Sequence, residues 1–120
     1  MTDRAAVEDW VRRYTHAWGT NDRQEIADLF AADARYFTAP FREPWRGREA
    51  ITAGWQERRE PAGTWTFDFE VAGVDGDTAF VRGRTEYSSG EGSFSNLWLI
   101  RFDREGRATE FVEWWMPVEA

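Results

Sequence analysis

The spacing of hydrophobic residues changes at Gly63, and this change limits the folds open to the chain. Before Gly63 apolar residues recur at intervals of three and four, which is typical of amphipathic helices. After it apolar and polar residues alternate, which predicts strands with one buried face. The alternation begins with Trp65, Phe67, Phe69 and Val71. The sequence therefore predicts one α+β domain over residues 1–120, with helices on one side of a mostly antiparallel sheet.

Three N-terminal helices are predicted. The first covers about residues 2–18 and ends at Gly19 and Asn21. Asp22 begins a second, short helix as half of a capping box with Glu25. The third covers about residues 48–59, after a short strand at 35–38. The apolar stripe of the first helix is Val7, Trp10, Val11, Tyr14, Ala17 and Trp18, and the inward face of the second is Ile26, Leu29 and Phe30.

The pair Asp75-Gly76 predicts a two-residue hairpin turn, with strands following at about 78–88, 93–103 and 107–116. This turn would set Arg84 and Glu86 on the same face as the aromatic residues of the preceding strand. Two interpretations stay open. Arg84 and Glu86 pair inside an aromatic pocket, or rings and arginine stems pack beneath a solvated or dimer face.

The last two predicted strands are apolar on both faces. One face must cover the helices, and the other would leave a large exposed patch. We therefore expect a homodimer that packs sheet against sheet. The residues concerned are Leu97, Trp98, Leu99, Ile100, Phe111, Val112, Trp114 and Trp115.

Composition excludes several chemistries. The chain has no cysteine and no lysine, so thiolate and Schiff-base catalysis are excluded. Its single histidine, His16, cannot form a multi-histidine metal site. A net charge of −7 argues against nucleic acid or an anionic membrane as partner. With no signal peptide or apolar span evident, we expect a cytoplasmic protein without cofactor or metal.

Several motifs together resemble SnoaL-like proteins of the nuclear-transport-factor-2-like (NTF2-like) superfamily, which includes ketosteroid isomerase and limonene-epoxide hydrolase. The resemblance covers nearly the whole chain and implies a cone-shaped fold around an apolar pocket, which different members use for catalysis or for binding. The motifs are Tyr14-x-x-Ala17-Trp18-x-x-Asn21-Asp22, Leu29-Phe30-x-x-Asp33-Ala34, Gly47-x-Glu49-Ala50-Ile51 and the run from Thr109 to Trp115.

The resemblance is closer to limonene-epoxide hydrolase than to ketosteroid isomerase. Tyr14 matches the oxyanion-hole tyrosine of ketosteroid isomerase, but Thr38 replaces its aspartate base and Trp98 lies at its second aspartate. Steroid isomerisation is therefore not expected. The motifs of limonene-epoxide hydrolase are matched more closely, by Tyr36-x-Thr38, Arg84-x-Glu86 and Glu113.

Two hypotheses follow for a pocket that holds a small apolar molecule. In the first, Glu113 is a general acid or base, desolvated by aromatic residues, and Arg84 and Glu86 orient it or supply a proton. In the second, the same pocket belongs to a non-catalytic binding or dimerisation module. The expected lining is Tyr14, Trp18, Tyr36, Thr38, Trp55, Trp98, Phe111 and Trp115.

Overall fold

The computed structural model of the protein describes residues 2–61, 63–88, 90 and 92–118. It contains three helices, α1 (Arg4–Thr20), α2 (Arg23–Ala27) and α3 (Arg48–Glu57). The strands are β1 (Phe30–Phe37), β2 (Trp45–Arg46), β3 (Trp65–Asp75), β4 (Thr78–Tyr87), β5 (Gly92–Phe102) and β6 (Ala108–Pro117). These six form one sheet in the order β2-β1-β6-β5-β4-β3. The predicted α+β class is confirmed.

The chain does not keep all its helices ahead of the sheet, because β1 and β2 lie between α2 and α3. β3 to β6 form the predicted antiparallel meander, while β1 pairs with β6 in parallel. No helix in the described ranges is long and apolar enough to span a membrane. The β1–β6 pairing brings the end of β1 beside the middle of β6.

The end of α1 and the start of α2 lie at the residues that the sequence predicts. Asp3 accepts a hydrogen bond from the Ala6 amide at 2.8 Å, and Asn21 ends α1 in the left-handed conformation, at φ 55°. Asp22 accepts from the Glu25 amide at 2.9 Å and so caps α2. The prediction that Leu29 and Phe30 lie on this helix is wrong, because α2 ends at Ala27, Leu29 lies in the turn after it and Phe30 begins β1.

Trp10 of α1 occupies the centre of the core. Its ring contacts the rings of Phe30, Phe102 and Phe111 at centroid distances of 5.6–6.2 Å, and its Nε1 donates to the Leu29 carbonyl at 3.0 Å. A buried indole that keeps its hydrogen bond supplies a large apolar area without an unpaired donor. This packing fixes α1 across the inner face of the sheet.

The predicted pairing of β3 with β4 is wrong by two residues next to the turn, where Val74 pairs with Ala79, and by one residue from Val71 towards Trp65. The turn is Gly76-Asp77, so Asp75 pairs with Thr78, and a β-bulge between Val71 and Gly73 then shifts the register again. Because side chains alternate between faces, a shift of one residue reverses the face to which each side chain points.

The corrected register sets Arg84 opposite Asp68 and Glu86 opposite Thr66. Both Arg84 and Glu86 therefore lie on the outer face of the sheet, where their side chains form an ion pair at 3.2 Å and are each 55% exposed. Both interpretations left open by the sequence placed these two residues on the face of the β3 rings, and this placement is wrong, because Phe67 lies on the inner face against Trp98. The pairing inside an aromatic pocket is therefore wrong as well.

The outer face of β4, β5 and β6 carries a continuous apolar patch, which we call the outer patch. Leu97 and Trp114 are paired across the two strands and are 42% and 41% exposed. Ion pairs border the patch, with Arg82–Glu70 and Arg84–Glu86 on one side and Arg35–Glu110 on another. Its members are Phe80, Leu97, Leu99, Val112, Trp114 and Met116.

Gly54 gives a test of the packing between α3 and β2. A Cβ at this position would lie 2.7 Å from the Trp45 ring, which is stacked on Tyr36 and covered by Arg58. We predict that Gly54→Ala lowers the free energy of unfolding by about 1–2 kcal/mol, because overpacking outweighs the gain in helix propensity.

The matched control is Gly19→Ala in α1, where a Cβ would meet nothing within 4 Å. This variant should raise the free energy of unfolding by up to about 1 kcal/mol. Urea denaturation measures both variants, and a stabilising effect of Gly54→Ala would contradict the packing described.

Candidate functional site

A cavity of about 340 Å³ opens between the inner face of the sheet and helices α1 and α3. Its floor is formed by buried residues from three strands and two helices, whereas its mouth is lined by exposed side chains. The buried members are Tyr14, Tyr36, Trp55, Thr85, Asn96 and Trp98. The volume is in the range of small-molecule sites, and the walls are largely aromatic.

Glu113 of β6 is partly buried and lines this cavity. Its Oε2 accepts a hydrogen bond from Asn96 Nδ2 at 2.9 Å and another from Trp98 Nε1 at 3.1 Å. Thr85 donates to Asn96 Oδ1 at 2.8 Å, which orients the Asn96 amide so that its NH₂ group faces Glu113. A chain of three polar side chains thus fixes the carboxyl group among aromatic rings.

The pKa of Glu113 is raised above its ordinary value of 4.5. Burial is the largest cause, because it disfavours the charged carboxylate. The hydrogen bonds from Trp98 and Asn96 lower the pKa, and the negative charge of Glu60 raises it again. Glu113 therefore gains and loses its proton at a pH nearer to neutral than a solvated glutamate does.

Two tyrosines form a hydrogen-bonded pair in the same cavity. The hydroxyl oxygens of Tyr14 and Tyr36 lie 2.7 Å apart, and both rings stack on Phe111 at 5.4 and 4.5 Å. The pKa of each tyrosine is raised, chiefly by burial and also by the charge of Glu113. Both tyrosines stay protonated. One hydroxyl proton forms the hydrogen bond between the two oxygens, so the other hydroxyl proton is available to donate to a ligand.

Trp55 adds another donor to the floor. Its Nε1 is buried and makes no hydrogen bond of acceptable geometry with any described residue, although it lies close enough to Tyr36 to lower the Tyr36 pKa. Leaving a buried donor unpaired costs free energy, so an acceptor atom supplied by a ligand would be stabilised there.

Most of the residues predicted for the site do line the cavity. They are Glu113, Tyr14, Trp18, Tyr36, Thr38, Trp55, Trp98 and Trp115. Trp115 is 48% exposed at the mouth, where its Nε1 donates to the Thr38 carbonyl at 3.2 Å. Phe111 is fully buried behind the tyrosine pair instead of facing the cavity. Arg84 and Glu86 are on the opposite face, so they do not converge with Glu113.

Sequence reasoning missed Asn96, Thr85 and Glu60. The alternation of β5 carried a usable signal, because Asn96 occurs two residues before Trp98 and therefore points to the same face. A polar residue on an apolar inward face needs a hydrogen-bond partner, and Glu113, which pairs with Trp98 across the strands, lies within reach of it. Glu60 follows α3 in an irregular segment, and no periodicity points to it.

The fold and the cavity together define the class of the protein. It is a small α+β domain whose curved sheet holds a buried carboxyl group in a cavity. A model of the SnoaL-like domain matches residues 11–111. The chain belongs to the SnoaL-like domain family, as its motifs predicted. No curated protein matches the chain.

Solved structures share the fold at low sequence identity. A protein of unknown function with a cystatin-like fold from Methylobium petroleophilum has a TM-score of 0.76 and 21% identity, over 98% of this chain and 80% of that one. A putative ketosteroid isomerase from Kribbella flavida has a TM-score of 0.73 and 22% identity, over 100% and 84%. An NTF2-like protein of unknown function from Mesorhizobium loti has a TM-score of 0.71 and 24% identity, over 97% and 96%.

Proposed function

We propose that the cavity binds an apolar small molecule and that Glu113 transfers a proton to or from this molecule without a cofactor. The observation that carries the proposal is the position of Glu113, a carboxyl with a raised pKa on the wall of an aromatic cavity. Acid–base catalysis is most efficient when the pKa of the group is near the working pH, and burial moves Glu113 in that direction.

The chemistry suited to this donor set is proton transfer next to a carbonyl group. The Glu113 carboxylate removes a proton from the carbon next to the carbonyl group. The electron pair of the broken C–H bond forms a C=C bond, and the π pair of the C=O bond moves to the oxygen. The spare hydroxyl proton of the tyrosine pair and the free N–H of Trp55 stabilise the resulting enolate oxyanion. When a C=C bond adjoins this position, Glu113 returns the proton to its far carbon, the carbonyl group re-forms and the double bond is isomerised.

The proposal uses one carboxyl group and omits the second one predicted from the resemblance to limonene-epoxide hydrolase. In that mechanism Glu113 deprotonates water held by Thr38 and Tyr36, and Glu86 protonates the opening oxygen. Glu86 lies on the outer face, 55% exposed and paired with Arg84, so it cannot reach a molecule in the cavity. Glu86 therefore cannot supply the proton that this mechanism requires of it.

The same observation favours a second candidate function, a non-catalytic binding protein. An aromatic cavity with a buried carboxyl group and several hydrogen-bond donors is sufficient to bind a carbonyl compound without turning it over. The two functions differ in one respect, whether the cavity speeds a reaction that depends on Glu113.

A generic probe reaction separates the two. 5-Nitro-1,2-benzisoxazole is a small planar compound that opens to a coloured nitrile phenolate when a base removes one proton and the N–O bond breaks. We predict that the protein catalyses this opening and that Glu113→Gln lowers kcat/KM at least about tenfold, since general-base catalysis is typically worth more than that. The rate of the wild-type protein should rise with pH through a midpoint above 4.5, as Glu113 loses its proton.

Glu57→Gln is the control, because Glu57 is an exposed glutamate at the end of α3. Binding of neutral 2-naphthamide, followed by tryptophan fluorescence, measures occupancy of the cavity separately from turnover. Turnover that survives in Glu113→Gln would contradict the catalytic role. Binding of 2-naphthamide without any Glu113-dependent turnover would support the binding protein instead.

We also propose that a second copy of the chain covers the outer patch. The patch is apolar across three strands and bordered by both charge signs, so two copies related by a two-fold axis bury apolar area while opposite charges meet at the rim. The sheet-to-sheet dimer expected from the sequence would use this surface.

We predict that Trp114→Glu converts the dimer to a monomer in sedimentation velocity at micromolar concentration, because a charge would be buried at the centre of the contact. Phe41→Glu is the matched control, since Phe41 is a fully exposed aromatic outside the sheet. A wild-type protein that sediments only as a monomer would contradict the proposed assembly.

A further inference from the structure

The mouth of the cavity is positively charged in a protein whose net charge is −7. Arg42, from the segment between β1 and β2, and Arg58 and Arg59, just after α3, all line the opening and are exposed. The acids among the lining residues are Glu60 and Glu113, and burial favours the neutral form of Glu113. The local balance is thus opposite to that of the whole chain.

These three arginines make no ion pair with any described residue. Arg42 Nη1 donates to Thr38 Oγ1 at a long 3.4 Å, Arg58 lies over the Trp45 ring at 5.2 Å, and Arg59 makes neither kind of contact. Some arginines elsewhere on the surface pair with nearby carboxylates, as Arg35, Arg82 and Arg107 do, but those do not line this cavity. Unpaired guanidinium groups around an opening are free to bind an anion.

Glu60, which follows Arg59 in sequence and also lines the cavity, is held in the cavity wall by hydrogen bonds. Its Oε1 accepts a hydrogen bond from Trp18 Nε1 at 3.1 Å and another from the Tyr87 hydroxyl at 3.2 Å. These two contacts hold the carboxylate against the aromatic wall without a salt bridge to a neighbouring arginine. The positive charge at the mouth is therefore not neutralised locally.

We infer that the ligand of this cavity is an organic acid with a planar apolar body, whose carboxylate is bound at the mouth by Arg42, Arg58 and Arg59. This inference rests on the proposed function, because it specifies the chemical class of the molecule that enters the same cavity.

The arrangement assigns each part of such a ligand to a region of matching chemistry. The apolar body lies among the aromatic walls, where Tyr14, Tyr36 and Trp55 offer donors to a carbonyl or hydroxyl oxygen at its inner end. The carboxylate stays in the exposed mouth, so it keeps part of its hydration while the guanidinium groups approach it. The positive charge of the guanidinium groups offsets the repulsion between this carboxylate and Glu113.

Two nearly isosteric probes test the inference, 2-naphthoate and 2-naphthamide, which differ in charge. We expect 2-naphthoate to bind the wild-type protein more tightly in calorimetric titration. The affinity for 2-naphthoate should fall about twofold to fivefold in each of the single variants Arg42→Gln, Arg58→Gln and Arg59→Gln, and at least about tenfold in the triple variant. The affinity for 2-naphthamide should change little. Added NaCl should weaken only the anionic probe.

Two further variants separate a local charge effect from damage to the fold. Arg12→Gln removes the same charge from an exposed position on α1 outside the cavity and should leave both affinities unchanged. Glu60→Gln keeps an acceptor for Trp18 and Tyr87 but removes the negative charge, so it should strengthen 2-naphthoate binding. A merely structural disturbance would not increase the affinity.

The outcomes are distinguishable. If 2-naphthamide binds as tightly as 2-naphthoate, or if the triple variant keeps the preference for the anion, the inference is wrong while the proposed function stands. If neither probe binds, the proposed small-molecule function fails, and the inference fails with it.

Discussion

The packing of α1 across the sheet is the constraint on which the rest of the structure depends. Trp10 fills the space between helix and sheet at one end, in contact with Phe30, Phe102 and Phe111. One turn further along the helix, Tyr14 is in contact with Trp98 and the space beyond it is open. The apolar stripe of this one helix therefore fills the core at one end and lines the cavity at the other.

The polar groups of the cavity are tolerated because each is held by a neighbour. Thr85, Asn96 and Glu113 form one connected chain, which reduces the cost of burying a carboxyl group in aromatic surroundings. The same hydrogen bonds oppose the effect of burial on the pKa of Glu113, and burial outweighs them. What is left unpaired, the Trp55 N–H and one tyrosine proton, is the part of the site that a ligand can use.

Much of the fold followed from periodicity, because helix and strand spacing differ so strongly and the turn residues were clear. Glu113 and the aromatic lining were predicted from their match to family motifs and from their inward spacing. The error at Arg84 and Glu86 came from the bulge after Val71. One extra residue in β3 shifts its pairing with β4, so Arg84 and Glu86 lie on the face opposite to the one predicted. The arginines of the mouth were missed because they lie outside regular elements, where spacing carries no information about direction.

The titration of the Glu113 carboxyl group tests the central claim most directly. Selective ¹³C labelling of glutamate carboxyl carbons allows each group to be followed by NMR, and comparison with Glu113→Gln assigns the resonance. We predict a midpoint for Glu113 above 4.5 and above that of the exposed glutamates, because burial disfavours its charged form. A midpoint at or below 4.5 would contradict the account, since it would describe a solvated or ion-paired carboxylate instead of a buried acid.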